Sequence, residues 1–389
     1  VTAAGAAGDD ELNQLRTLVH DFAEHEVRPL AQRMDRDEYF PRELFGHAGR
    51  LGLIGACLPL DYGGGGLDLA AAAIIREELA RASAAFAAIV AASGVYFGLN
   101  VARHGTAAQK ARYLPAIAAG EAVGAWALTE PSAGSDGRGI ATTTSQTAAD
   151  FVVNGSKTFT TNGPVADYVI VQTRREGLGG GNRGTAVILE RGMQGLQFGP
   201  PIEKLGLRGS PTGDIYMDNV TITADHILGD DGAALDAAFN NLDAERILVL
   251  FSGLGIARAC LDEVVRYSAE RRQFGRPIAS FQLIKEKIAL ISATVEVIRA
   301  YGAFLLSRHS LGLSVRKEAA VGKYLTAEAV MRCAIEAVQV FGGYGFTKEF
   351  VVERLMRDAK LLAIGGGTTE MQKLVIARET FAEYGVTIK

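Results

Sequence analysis

The sequence predicts an α+β protein in three consecutive parts: an N-terminal α-helical domain, a middle β domain and a C-terminal helical bundle. Large apolar residues recur at helical spacing before about Gly124 and again after about Gly232. Between these stretches the chain turns rich in Thr, Gly and Val, with short runs of strand character. Its 389 residues, 48% hydrophobic and 22% charged, are enough for two or three packed domains and exclude global disorder. The expected divisions are 1–126, 127–231 and 232–389.

In the first part Leu12, Leu15, Leu18, Val19 and Phe22 follow a helical period. Loops are expected at Asp61–Gly66 and at His104-Gly105-Thr106. The glycine run lacks the Lys-Ser/Thr of a phosphate loop and reads as a turn. In the middle part Phe151–Phe159 reads as a hairpin, because Asn154-Gly155 supplies positive φ angles. Tyr168–Val171, Thr185–Leu189 and Ile215–Val220 read as further strands, with a flexible loop over Gly177–Gly184. In the last part Ile284, Ile288, Ile291, Val295 and Ile298 form a stripe that continues to Gly302 and Leu305.

Composition narrows the function classes. The formal net charge is −4, with 40 basic and 44 acidic side chains intermixed, so no basic field points to nucleic acid. Cys57, Cys260 and Cys333 lie too far apart for a CxxC site or a disulfide framework, which fits a reducing cytoplasm. The six histidines show no metal-binding spacing, so no metal is expected. Val1–Leu15 lacks the pattern of a signal peptide. The uncharged stretch from Arg81 to Arg103 is mostly small residues and reads as a tightly packed helix, not a membrane span.

Five segments carry chemical potential. A helix beginning near Leu235 is apolar on every side beyond Arg246, yet Asp243, Glu245 and Arg246 open it. Glu245 shares a face with Leu242 and Val249. Loss of hydration there would make its carboxylate a stronger base; the alternative is an ion pair with Arg246 or another cation. Ala127–Gly137 offers free backbone N–H groups at Gly134 and Ser135 that suit an anion. Its likeness to a nucleophile elbow fails because Ile140–Ser145 is not a helix. Glu270–Pro277, Gln339–Gly345 and Ile364–Gln372 complete the set. No complete GxGxxG fingerprint occurs.

In this order and spacing the segments closely resemble the acyl-CoA dehydrogenase family of flavoproteins, over nearly the whole chain. The resemblance rests on His104–Lys110, Leu128-Thr129-Glu130-Pro131 with Gly134-Ser135-Asp136, and Asn154–Lys157 leading to Thr161-Asn162-Gly163. It continues through Lys204–Ser210, Arg271–Gly275, Gln339–Gly343 and Gly367-Thr368-Thr369-Glu370. It implies the family's fold, in which the last domain is a four-helix bundle. It also implies an FAD between the β domain and that bundle.

Trp126, Leu128 and Thr129 would then meet the flavin ring, with Phe159 packed on it and Thr161 near its N5. Gly134 and Ser135 would touch the pyrophosphate, and Ser135 alternatively the thioester arm of the substrate. Arg271, Gln273, Phe274, Gln282, Gln339 and Gly343 would hold the adenine half of a neighbouring subunit's cofactor, and Thr368 and Glu370 would complete the site. A homotetramer is expected, or a dimer. The substrate arm would pass Asp243 and Arg246.

The implied reaction removes an α-proton and a β-hydride from a saturated acyl-CoA thioester to give the trans-2-enoyl product. The thioester oxygen would receive a hydrogen bond from the Gly366 N–H. Most family members carry the catalytic glutamate where this chain has Gly366. A minority, including isovaleryl-CoA and long-chain dehydrogenases, carry it on the long helix just before its arginine, and that position here is Glu245. Electron-transfer flavoprotein is the expected acceptor. Short branched acyl groups are the first expectation, because Gly365 and Gly366 leave room, with Leu250 and Phe251 as candidates to limit depth. The alternatives are an acyl group on a carrier protein in natural-product biosynthesis, an oxygen-using flavin oxidase or hydroxylase, and a catalytically silent scaffold.

Overall fold

The computed structural model of the chain describes residues 8–177 and 184–386. Most of the glycine-rich segment expected as a loop, at 178–183, lies outside them.

The first helices are α1 (Asp9–Phe22), α2 (Arg28–Asp37), α3 (Arg42–Arg50), α4 (Leu69–Ala82), α5 (Ala84–Ala91), α6 (Asn100–His104) and α7 (Ala107–Ala118). Asp68 starts α4 by accepting the amides of Ala70 and Ala71, and Thr106 with Gln109 closes a capping box on α7. The uncharged stretch becomes α5, a π-helical segment over Ala92–Leu99, and α6. It is long and apolar enough to cross a membrane by composition, but 72% of its apolar window is buried inside the protein.

The β domain contains β1 (Gly124–Ala127), β2 (Thr143–Gln146), β3 (Phe151–Thr161), β4 (Tyr168–Arg175), β5 (Gly184–Glu190), β6 (Leu196–Pro201), β7 (Thr212–Ile222) and β8 (Ile227–Leu228). They form one sheet in the order β6-β7-β3-β2-β4-β5-β8, with β1 parallel to β4. The expected hairpin at Asn154-Gly155 is not formed. β3 runs straight through these residues and pairs along its length with β7. The positive φ of Gly155 (+138°) is used in a register shift between Val153 and Gly155. The glycine is needed there, since a Cβ would lie 2.7 Å from the Thr142 Cα.

The last part holds α8 (Ala234–Glu270), a short ribbon of β9 (Arg272–Gln273) and β10 (Arg276–Pro277), then α9 (Gln282–Ser310), α10 (Arg316–Phe341), α11 (Val352–Ala359) and α12 (Thr369–Glu383). The predicted stripe on α9 is the buried one: Ile291, Val295, Ile298, Gly302 and Leu305 face the bundle. Helix α8 packs on α9 and α10, α10 on α12, and α11 is added across α8 and α10. On its remaining side α8 packs against α4 of the first part. That encirclement explains why its middle, from Ile247 to Ala257, carries no charge on any side.

Candidate active site

Glu245 stands where α8 enters this packing. It is half-buried and makes no hydrogen bond or ion pair with any described residue. Burial pushes its carboxyl up to about 7, against the opposing influence of the Arg246, Arg76 and Arg103 guanidinium groups. The ion pair that would have made Glu245 structural is not formed. Arg246 Nη1 donates instead to Asp243 Oδ1 at 2.7 Å, one turn back along α8. Asp243 is also 3.7 Å from Arg316 Nε. Arg246 is buried, and its Nε has no partner.

Facing this strip of α8 is the turn Gly365-Gly366-Gly367, just before α12. Gly366 and Gly367 have φ of +66° and +87°, the left-handed region open to glycine. A Cβ on Gly366 would have Val249 Cγ2 as its nearest neighbour, at 3.9 Å. Val249 is one turn beyond Glu245, so the turn lies against the face that carries the acid. From behind, the fully buried Lys323 of α10 donates Nζ to the Gly367 carbonyl. Gln372 Nε2 donates to the same oxygen at 3.0 Å. Thr368 caps α12 by accepting the Met371 amide, and Glu370 is exposed on its first turn.

The β domain brings a third group together. Trp126 lies in β1 and runs into Leu128 and Thr129, all half-buried. The Thr129 carbonyl accepts the Thr158 amide at 2.9 Å, which lays this segment along β3. There a second register shift, between Lys157 and Thr160, holds Phe159 at φ +53° with 63% of its surface exposed. Thr161 pairs with Thr212 at the end of β3. Gly134 and Ser135 sit in an exposed turn after the bridge between Glu130 and Ala133.

The fourth group forms a cleft of about 580 Å³ where α8 ends and α9 begins. Arg271, Gln273, Phe274, Phe281, Phe341 and Gly343 are among its lining residues. Phe274 is 91% exposed and meets Phe281 edge-on. Gln282, first in α9, and Gln339, in the last turn of α10, are exposed but do not line the cleft.

Comparison with known proteins identifies the family. The family model "Acyl-CoA dehydrogenase, N-terminal domain" matches residues 9–121, the middle domain 125–220 and the C-terminal domain 232–381. The chain belongs to the acyl-CoA dehydrogenase family. It is 37% identical to a 3-(aryl)acrylate reductase of Clostridium sporogenes over 93% of this chain and 96% of that protein. It is 36% identical to the mitochondrial isovaleryl-CoA dehydrogenase of Arabidopsis thaliana over 96% and 92% of the two chains. The structure of butyryl-CoA dehydrogenase from Megasphaera elsdenii superimposes with a TM-score of 0.92, at 34% identity, covering 96% of this chain and 99% of that one.

The family is one of flavoproteins, and the residues here fit a flat heteroaromatic cofactor. An exposed Phe159 is presented on a strained bulge, and the buried Thr160 Oγ1, Thr369 Oγ1 and Gln372 Oε1 lack partners. Leu250 and Phe251 do not face Glu245's strip. A Cβ on Gly302 would meet Phe251 Cζ at 2.8 Å, and one on Gly322 would meet Leu250 Cδ1 at 2.9 Å, so both side chains point to α9 and α10. Sequence reasoning passed over Lys323, Arg76 and the Glu130–Lys157 pair. In each case the partner is distant in sequence, so no local pattern marks the residue.

Proposed function

We propose that this protein is an FAD-dependent acyl-CoA dehydrogenase in which Glu245 takes the α-proton of a saturated acyl thioester. One observation carries the assignment: a partnerless carboxylate, raised to about 7, on the α8 face opposite the Gly365–Gly367 turn. FAD, when bound, supplies the acceptor for the β-hydride. Trp126, Leu128, Thr129, Phe159 and Thr161 would hold its ring, with Gly134 and Ser135 at the pyrophosphate.

The Gly366 N–H would donate to the thioester oxygen as charge develops there. Lys323 and Gln372 fix that turn by binding the Gly367 carbonyl. Asp243 and Arg246 would guide the thioester arm, and their mutual ion pair leaves Glu245 free to act as a base. The cleft of Arg271, Gln273, Phe274 and Gly343 would take the adenine end of a cofactor shared between subunits, with Gln282 and Gln339 at its rim and Thr368 and Glu370 closing the site. We assign a homotetramer on this basis. Exposed apolar residues on α9, including Leu283, Val297 and Phe304, support it. Electron-transfer flavoprotein would reoxidise the flavin.

Anaerobic titration with acyl-CoA thioesters is expected to bleach the flavin of the purified protein. Glu245→Gln should retain FAD while flavin reduction slows at least ~100-fold, the scale of a positioned general base. Near-normal reduction in that variant would refute the assignment.

A further inference from the structure

Lys323 of α10 is 1% exposed, and its one hydrogen bond with a described residue is the donation of Nζ to the Gly367 carbonyl. It forms no ion pair with any described residue. Lys157, equally buried, is neutralised by Glu130 at 2.6 Å. Close packing of α10 on α8 holds Lys323 in place. Thr326, one turn on from it, lies so near that a Cβ on Gly253 would meet its Cγ2 at 2.5 Å. The ammonium therefore stays fixed behind the Gly365–Gly367 turn, whose exposed glycines 366 and 367 face outward from it.

A buried cation with no carboxylate partner costs stability unless another negative charge comes to it. Asp243 is engaged with Arg246, and Glu370 of α12 is exposed. The charges that act chiefly on Glu245 are those of Arg246, Arg76 and Arg103, so Lys323 is not placed to stabilise that carboxylate. In the proposed reaction, negative charge leaves Glu245 and develops on the thioester oxygen at the Gly366 N–H. That brings it to the turn which Lys323 binds from the other side. A cation that favours the charge after the proton has moved, and not before, lowers the barrier.

We propose that Lys323 is a positioning residue for α-proton removal: through the Gly367 carbonyl it holds the turn with the Gly366 N–H towards the thioester oxygen, and its charge favours the enolate over the Glu245 carboxylate. The proposal rests on the dehydrogenase reading and deepens it. Two charged groups act on Lys323 itself, Arg246 of α8 and Glu370 of α12. Burial, with the Arg246 charge and against that of Glu370, pushes its ammonium down to about 8. It is thus charged at neutral pH and loses that charge just above, whereas an arginine in its place would not.

The test compares the FAD-loaded wild type with Lys323→Met, Lys323→Gln and Lys323→Arg. One readout is anaerobic flavin reduction by an acyl-CoA that bleaches the wild type. The other is the pH at which a bound 3-oxoacyl-CoA ionises to its enolate, which puts charge on the thioester oxygen without hydride transfer. Lys323→Met and Lys323→Gln should slow reduction ~10-fold or more, through kcat and not KM, short of the ~100- to 1,000-fold cost of losing an oxyanion donor outright. In both, the enolate should form about one pH unit higher, which is the same tenfold. Glutamine keeps a donor for the carbonyl without the charge, so its effect isolates the charge. Lys323→Arg should restore the low ionisation and carry the alkaline fall in rate from about 8 to higher pH. Near-normal reduction in the Met and Gln variants overturns the proposal. So does slower reduction with the enolate pKa unmoved, because Lys323 would then be structural alone. If Lys323→Met loses its FAD, the Gln and Arg variants decide. If no acyl thioester bleaches the wild-type flavin, the dehydrogenase reading itself fails, and this inference with it.

Discussion

Two glutamates of this protein, Glu130 buried and Glu245 half-buried, have opposite surroundings. Glu130 accepts Lys157 Nζ at 2.6 Å and the amides of Ala141 and Thr142 at 2.6 and 3.0 Å. Burial alone would raise its carboxyl, but these donors hold it below the usual carboxylate range. Glu245 has three guanidinium groups nearby and a hydrogen bond to none. Its carboxyl is therefore raised. A carboxylate whose acceptor sites are all filled is a structural clamp, and one left unfilled in a buried place keeps its affinity for a proton. The same residue type is thus assigned to architecture or to chemistry by its hydrogen-bond inventory.

The largest effect should come from breaking the clamp. Lys157 is wholly buried and also donates to the Leu128 carbonyl at 3.0 Å, so it ties the Leu128–Thr142 loop to β3. Lys157→Met leaves Glu130 charged, buried and short of its strongest donor. Such a loss costs about 3–5 kcal/mol. Denaturant unfolding should show it directly. FAD content should fall as well, because Thr129 and Phe159 are aligned through this loop. An unchanged midpoint would mean that the pair contributes nothing to the fold.

Glu245 should respond in the opposite sense. Its carboxyl titrates near 7 when folded, above its ordinary value of 4.5, so the folded state binds the proton more tightly. Its contribution to stability is complete below about pH 4.5 and is lost as pH rises through about 7. Glu245→Gln removes that loss. At pH 8 it should be more stable than the wild type by up to about 3 kcal/mol, and at pH 4 no more stable. The same titration predicts that wild-type kcat/KM falls as pH drops below about 7, since a base must start unprotonated. Paired melting curves and a pH–rate profile check both. An equal destabilisation at either pH would return Glu245 to a structural role.

These contrasts also mark how far the sequence was readable. Glu245 drew notice because a lone acid on an apolar helical face breaks a strong local period, but that pattern alone left an ion pair open, and its role as a base came from the family resemblance. The α, β, α succession and the α9 stripe were legible for the same reason. The Asn154-Gly155 signal misled, because a positive φ serves a bulge inside a long strand as well as a turn, and only the length of β7 decides between them. Arg76 looked like an ordinary charge in the run Arg76-Glu77-Glu78. Yet Glu77 and Glu78 are buried and held by Arg16 and Arg258, which leaves Arg76 without either. Lys323 and Lys157 find their partners 44 and 27 residues away, beyond any local pattern.

The smallest effect should fall at Gly366, and it separates two reasons for a glycine opposite the acid. One is backbone: at φ +66° an L-residue is strained. The other would be space: exclusion of a side chain by the α8 face. The geometry favours backbone alone, since the nearest atom to a Cβ is Val249 Cγ2 at 3.9 Å, an ordinary contact. Gly366→Ala should therefore cost about 1 kcal/mol of stability and leave turnover close to that of the wild type. A sharp loss of turnover without a matching loss of stability would show that the room in front of Glu245 belongs to the substrate. A bulkier acyl group should then suffer more than a slim one, and kcat/KM measured across the two would read that difference directly.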